Sequence, residues 1–119
     1  MTGIPPLRII ALSALLAGCA HERRYVVLPE QELAGCKQAA LDAASSADAW
    51  RRFRAERLTE GSFKVDVTRI EYHLDFHHCD RITVILPTDQ HFGMHSCFIE
   101  VSVVHESSEV ADMRESFWP

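Results

Sequence analysis

The sequence predicts a single small α+β domain with three parts: a long N-terminal helix, a three-stranded antiparallel meander on which it packs, and a short C-terminal helix. Two observations support this fold. Apolar residues recur at helical spacing over residues 30–58, whereas they alternate at every second position after Gly61. A helical segment followed by alternating segments is typical of a helix layer on an antiparallel sheet.

The predicted N-terminal helix covers residues 30–58, which are rich in the good helix formers Ala, Glu, Gln, Leu and Arg. Six apolar residues share one face of it: Leu33, Cys36, Ala40, Ala43, Ala47 and Trp50. Gly61 suits the position that follows a helix. Ser45, three residues before Asp48, resembles an N-cap. The segment therefore forms either one long helix or two helices that meet there, and we favour one.

The first predicted strand shows a change of parity. Its apolar residues lie at odd positions over residues 63–67 and at even positions over residues 70–76. Because the side chains of a strand alternate between its two faces, this switch predicts a β-bulge near Thr68 and Arg69. The opposite face carries a row of polar residues, our candidate for a partner-binding surface: Arg69, Glu71, His73 and Asp75.

Turn signals delimit the rest of the meander. The predicted second strand (81–86) is ended by a segment with Pro and Gly (87–93), and the third strand covers residues 96–104. The last predicted element is a short helix capped by Ser108, whose apolar residues share one face: Val110, Met113 and Phe117.

The four letters LAGC occur twice, ending at Cys19 and at Cys36. The first copy ends a short apolar run that follows a single charge, Arg8, and this arrangement is typical of a secretory signal. The run is too short for a bilayer, which takes about 20 helical residues. Glu30 and Glu32 precede the second copy, and carboxylates are costly in a membrane. The second copy is therefore predicted to be ordinary helix sequence.

The segment that ends in Leu16-Ala17-Gly18-Cys19 resembles the signal peptide and lipobox of bacterial lipoprotein precursors. The resemblance covers the first 19 residues. It implies that residues 1–18 are removed, that the Cys19 thiol carries diacylglycerol, and that the new amine of Cys19 is acylated. The next residue is Ala20 rather than Asp, which by the usual sorting rule of that family implies the outer membrane. Several acyl chains on one residue give an essentially permanent anchor.

Under this interpretation, residues 19–29 tether a single periplasm-facing domain of residues 30–119 to the membrane. Cleavage would leave 101 of the 119 residues, enough for one hydrophobic core. The removed segment contains Arg8 and no acidic residue, so the net charge of −5 becomes −6. An acidic domain argues against nucleic acid as a partner.

Histidine and cysteine gather in two places that offer metal ligands: His77, His78 and Cys79, and His91, His95 and Cys97. In the predicted meander, the second strand separates the two groups by about 20 Å, so that neither completes a site with the other. We therefore predict no metal site and no other cofactor. Exposed histidines and a disulfide account for both groups.

An exported domain with three cysteines besides Cys19 is expected to form one disulfide. A single helix places Cys36 beside the turn that holds Cys79, so we predict a Cys36–Cys79 bridge. If the helix breaks at residues 45–46, Cys36 moves instead to the end that holds Cys97. A Cys79–Cys97 bridge is disfavoured because the two lie at opposite ends of a hairpin, beyond the roughly 7 Å between Cα atoms that a disulfide allows.

The chain has no catalytic signature of the Gly-x-Ser-x-Gly, His-Glu-x-x-His or phosphate-loop type. We predict a non-enzymatic, membrane-anchored periplasmic lipoprotein that binds a protein partner, as an assembly accessory or as an immunity or inhibitor protein. Two alternatives stay open. One is a periplasmic lipoprotein that binds copper or zinc, and the other is a structural or regulatory component of the envelope.

Overall fold

The computed structural model describes residues 7–11, 25–54, 62–75 and 77–118. In the described part, two helices and six strands follow one another along the chain: β1 (Leu7–Ala11), β2 (Tyr25–Pro29), α1 (Glu30–Ala44), α2 (Ala47–Arg52), β3 (Glu71–Leu74), β4 (Arg81–Phe92), β5 (His95–Val104) and β6 (Glu109–Phe117). Strands β3, β4, β5 and β6 form an antiparallel sheet in that order, and β1 pairs with β2 in a separate two-stranded sheet. The predicted fold, one long helix on three strands with a C-terminal helix, is therefore wrong.

The N-terminal helical segment is two helices, not one. The chain leaves α1 at Ser45, and the Ser46 hydroxyl caps α2 by accepting a hydrogen bond from the Ala49 amide at 3.2 Å. The Trp50 indole then donates to the Ala44 carbonyl at 2.9 Å, which holds α2 against the end of α1. A serine cap satisfies one of the amides that a new helix leaves unpaired, and this cap lies one residue after the predicted Ser45, which instead ends α1.

The segment predicted as the first strand is mostly not a strand. Only residues 71–74 form β3, and Val65 makes an isolated bridge to Thr88. The Asp66 carboxylate accepts hydrogen bonds from the amide and the hydroxyl of Thr68, at 3.1 and 2.6 Å. Aspartate bonded two residues ahead closes a local turn. The predicted β-bulge near Thr68 is therefore wrong, because the change of parity there marks a turn.

The second strand is longer than predicted, since β4 continues through Pro87 to Phe92. The register with β5 shifts between Pro87 and His91, and such an irregularity is where a strand tolerates a proline. The chain reverses at Gly93, whose φ of 64° lies in the left-handed region that glycine adopts without strain. The third predicted strand is confirmed as β5, one residue longer at its start.

The predicted C-terminal helix is in fact strand β6. Val103 pairs with Val110 and Ser102 pairs with Asp112, so Ala111 is an extra residue on β6. This bulge brings Val110 and Met113 to the same side of the sheet although they lie three residues apart. Apolar residues three positions apart usually indicate a helix, but here a bulged strand produces the same spacing.

One face of the four-stranded sheet, called here the inner face, packs against α1. The buried positions of α1 include Leu33, Cys36, Ala40 and Ala43, all four predicted for the apolar helix face. The inner face contributes the other half of the core: Leu74, Ile82, Val84, Leu86, Ile99, Val101, Val103 and Met113. Among the described helices, none is long and apolar enough to cross a membrane.

The start of α1 lies against the turn between β5 and β6. His105 Nδ1 is 3.1 Å from Glu32 Oε1, and a Cβ placed on Gly35 would meet the Ser108 hydroxyl. The second LAGC copy is therefore part of α1, with Leu33 and Cys36 in the core, as the sequence predicts.

Candidate partner-binding face

The face of the sheet opposite the helices, called here the outer face, gathers polar and aromatic side chains from all four strands. Strand residues alternate between faces, so the neighbours of each core residue point outward. These residues are Glu71, His73, Thr83, Ile85, Phe98, Glu100, Ser102, Asp112 and Arg114. Two adjoining depressions, both lined by Thr83 and Glu100, cross this face.

The first depression has an aromatic wall. The centroids of the Trp118 and Phe98 rings lie 4.2 Å apart. The backbone amide of Trp118 donates a hydrogen bond to the Ser96 carbonyl at 3.0 Å. Ile85 and Phe98 are only 9% and 8% exposed. With Glu71 and other polar residues around them, they bound a space of about 430 Å³. An apolar wall with a charged rim suits an inserted side chain of a partner.

The second depression is polar and predominantly acidic. Asp75, Glu100 and Asp112 line a space of about 360 Å³ together with Arg114. Arg114 Nε donates to Glu100 Oε2 at 2.5 Å. This hydrogen bond, the Glu100 charge and, to a lesser degree, Asp112 raise the pKa of Arg114. The guanidinium therefore stays charged, and three carboxylates against one cation leave this part of the face negative at neutral pH.

Three of the four residues predicted for a partner surface line the two depressions. His73 Nε2 lies 3.1 Å from Glu71 Oε1 on β3, and both are exposed. Asp75 follows β3, where its carboxylate accepts from the His77 amide at 2.9 Å. Arg69 is exposed in the turn before β3 and lines neither depression.

Sequence reasoning missed the larger part of this face. Glu100 lies in a strand that was predicted correctly, so the alternation of Cys97, Ile99 and Val101 was a signal that the even-numbered residues face outward. The sequence pattern does not point to Arg114, because the apolar spacing around it predicts a helix where the structure has β6. No local pattern shows that Trp118 folds onto Phe98, since that contact depends on the pairing of distant strands.

The two histidine and cysteine groups are not brought together. His77, His78 and Cys79 lie exposed in the turn between β3 and β4. On the other hairpin, His91 and His95 are exposed whereas Cys97 is buried. Within the described ranges, no group of three or more His, Cys, Asp or Glu side chains could hold a metal ion.

The predicted Cys36–Cys79 disulfide is wrong, because Cys36 and Cys97 are both free and buried. Cys36 points from α1 into the core, whereas Cys79 is exposed on a turn. Burial, with a smaller effect of the Glu32 charge, raises the pKa of the Cys36 thiol to about 11. Burial and Glu115 also raise the pKa of Cys97.

Large apolar side chains are exposed at the end of the β4–β5 hairpin. Met94 is 97% exposed and Phe92 is 45% exposed. The ring of Phe117, at the end of β6, lies 5.3 Å from the rings of both Phe92 and His95. Exposed apolar groups in contact with one another often mark a binding surface.

No protein-family model, curated protein or solved structure matches the chain. The candidate function therefore depends on the lipobox resemblance and on the chemistry of the outer face.

Proposed function

We propose that the chain is a bacterial lipoprotein that is anchored through Cys19 to the outer membrane, faces the periplasm, and binds a protein partner without catalysis. The observation that carries the proposal is the position of the first LAGC, at the end of a short apolar run behind Arg8. The second copy supports it by contrast. Its cysteine is buried in α1, and a lipidation site must be accessible to the modifying enzyme.

The chemistry of the outer face favours a particular kind of partner. Four carboxylates (Glu71, Asp75, Glu100 and Asp112) surround the two depressions, and Arg114 is the cation among their lining residues. A partner with Lys or Arg on its surface complements this charge and is steered toward it. Beside the charges, the aromatic wall accepts one apolar side chain, so the partner is expected to present a basic segment with an apolar anchor.

The anchor is tested by membrane fractionation. Cys19→Ser should abolish processing or release the protein from the outer membrane. The matched control is Cys36→Ala rather than Cys36→Ser, because a hydroxyl in the buried site of Cys36 would cost about 1–3 kcal/mol and confuse loss of anchoring with loss of folding. Cys36→Ala should fractionate like the wild type.

Mass spectrometry of the purified protein gives a second readout. The N-terminal peptide should begin at Cys19 and carry the mass of its acyl chains. A Cys19 peptide joined to Cys79 by a disulfide would contradict the anchor, since one thiol cannot form both bonds. Wild-type fractionation of Cys19→Ser would contradict it as well.

The binding face is tested by site-specific photocrosslinking in intact cells. A photoreactive residue in place of Thr83, between the two depressions, should give a discrete adduct with another protein. The same residue in place of Gln38, exposed on α1, is the control and should not. Glu71→Lys should weaken the Thr83 adduct, whereas Glu106→Lys, an equal charge reversal in the β5–β6 turn, should not. Equal adducts at Thr83 and Gln38 would exclude the outer face.

A further inference from the structure

Strand β2 is paired with a segment that the proposed processing would remove. Its five residues, Tyr25–Pro29, form an antiparallel pair with β1, which is Leu7–Ala11. β1 lies entirely within the proposed signal peptide of residues 1–18. Cleavage before Cys19 therefore takes away β1 and leaves the backbone groups on that edge of β2 without the strand that binds them in the structure.

The carboxyl end of β2 is also fixed to the core, independently of β1. Leu28 is 5% exposed and belongs to the same buried cluster as Leu33 and Cys36 of α1. Pro29 leads directly into α1, where it is the N-cap residue. Because this end of β2 is held by packing and by the helix that follows it, the edge keeps its position in the domain when β1 is removed.

The composition of β2 suits a strand that has a partner. Tyr25, Val26 and Val27 are of the residue types most enriched in strands. Edges that stay unpaired are commonly protected by charged side chains or by proline within the strand, and the residues from Tyr25 to Leu28 include neither. We therefore expect β2 to be paired in the processed protein as well.

β1 shows which kind of strand this edge accepts. It runs antiparallel to β2 and has the sequence Leu-Arg-Ile-Ile-Ala, which is apolar apart from the one cation of Arg8. It also lies close to β3, the strand of the main sheet that carries the exposed Glu71. A segment in the place of β1 is therefore near a carboxylate of the outer face, and this favours Lys or Arg in the segment.

We infer that an extended segment of the protein partner takes the place of β1 and adds an antiparallel strand to β2. Main-chain hydrogen bonds to residues 25–29 supply the affinity of such a contact, and the side chains of the added strand supply its specificity. The inference rests on the proposed function, since it requires the removal of residues 1–18. It specifies how the basic, partly apolar segment of the partner is bound.

The test uses the processed protein, purified in detergent, and a fluorescent peptide with the sequence of residues 5–13. Mass spectrometry first establishes that the protein begins at Cys19. Fluorescence anisotropy should then show that the peptide binds, because it presents the strand that processing removed. The Cys19→Ser precursor, which keeps residues 1–18, should bind the peptide at least about tenfold more weakly, because its own β1 competes at a high effective concentration.

Two N-methylated peptides separate backbone pairing from any other binding to the protein or to the detergent. The amides of consecutive strand residues point to opposite edges, so methyl groups on the amides of Arg8 and Ile10 block one edge, and methyl groups on those of Ile9 and Ala11 block the other. One of these peptides should bind like the unmodified peptide. The other loses backbone hydrogen bonds to β2 and should bind more weakly, by on the order of tenfold.

The possible failures of the anchor and of the strand addition are distinguishable. A cellular protein that keeps residues 1–18 would contradict the anchor and, with it, this inference. A protein that begins at Cys19 but does not bind the peptide would overturn the inference alone. Equal affinities of the two methylated peptides would exclude backbone pairing.

Photocrosslinking in intact cells identifies the occupant of the edge. A photoreactive residue in place of Val26 should give an adduct with the same protein that is captured at Thr83, whereas the residue in place of Gln38 should give none. An adduct between two copies of the chain would show that β2 pairs with itself, and it would overturn the assignment of this edge to a partner.

Discussion

The packing of α1 on the β5–β6 turn predicts a strong coupling between Gly35 and Ser108. A Cβ added to Gly35 would lie 2.5 Å from the Ser108 hydroxyl oxygen and 3.6 Å from the Ser108 Cβ. Ser108 itself has a φ of 60°, in the left-handed region that is unfavourable for residues other than glycine. The perturbation is Gly35→Ala, alone and together with Ser108→Gly.

The expected sizes follow from two opposing effects. Alanine is favoured over glycine inside a helix by about 1 kcal/mol. The overlap with the Ser108 hydroxyl forces the side chain or the turn to move, at a cost of about 1–3 kcal/mol. Gly35→Ala alone should therefore lower the free energy of unfolding by about 0–2 kcal/mol. In the Ser108→Gly background the hydroxyl is absent, and Gly35→Ala should raise the free energy of unfolding by about 1 kcal/mol.

The assay is a double-mutant cycle by urea and thermal unfolding. The two changes should be coupled by about 1–3 kcal/mol, and each 1 kcal/mol corresponds to a shift of about 4–8 °C in Tm for a domain of this size. Ser107→Gly provides the control, since Ser107 is exposed and is absent from the contacts of a Gly35 Cβ. Additive effects, within about 0.5 kcal/mol, would refute the close packing of α1 on this turn.

Three further predictions concern thiol reactivity, acid stability and the aromatic wall. Cys36, with a pKa raised to about 11 by burial, should resist alkylation at pH 8 in the native protein and react in urea; rapid native labelling would contradict its burial. The hydrogen bond from the Lys64 amide lowers the pKa of Asp89 below its usual 3.8. The ionised Asp89 carboxylate therefore stabilises the fold above pH 3.8, and this stabilisation is lost as the pH falls through the pKa of Asp89 in the folded state. Asp89→Asn should flatten this part of the acid-unfolding curve, and an unchanged curve would show that the bond does not contribute. Trp118→Ala should remove the ring contact with Phe98 and lower the free energy of unfolding by about 0.5–1.5 kcal/mol in urea titrations, beyond the loss of buried area.

The sequence predicted the buried half of the fold better than its edges. The helical face with Leu33 and Cys36 is buried as expected, because a core-facing stripe leaves a local periodic signal. The break between the helices was visible as a cap signal at Ser45, one residue before the Ser46 cap of α2, but this signal competed with good helix formers on both sides. The bulge at Ala111 could not be anticipated, since it is defined by pairing with β5.

The same distinction applies to the candidate site. Glu71 and His73 were found because they alternate with apolar residues within one short segment. Glu100 and Arg114 act as a unit only after β5 and β6 pair in the observed register. A binding face built across four strands is therefore only partly predictable from local patterns, however clear each pattern is.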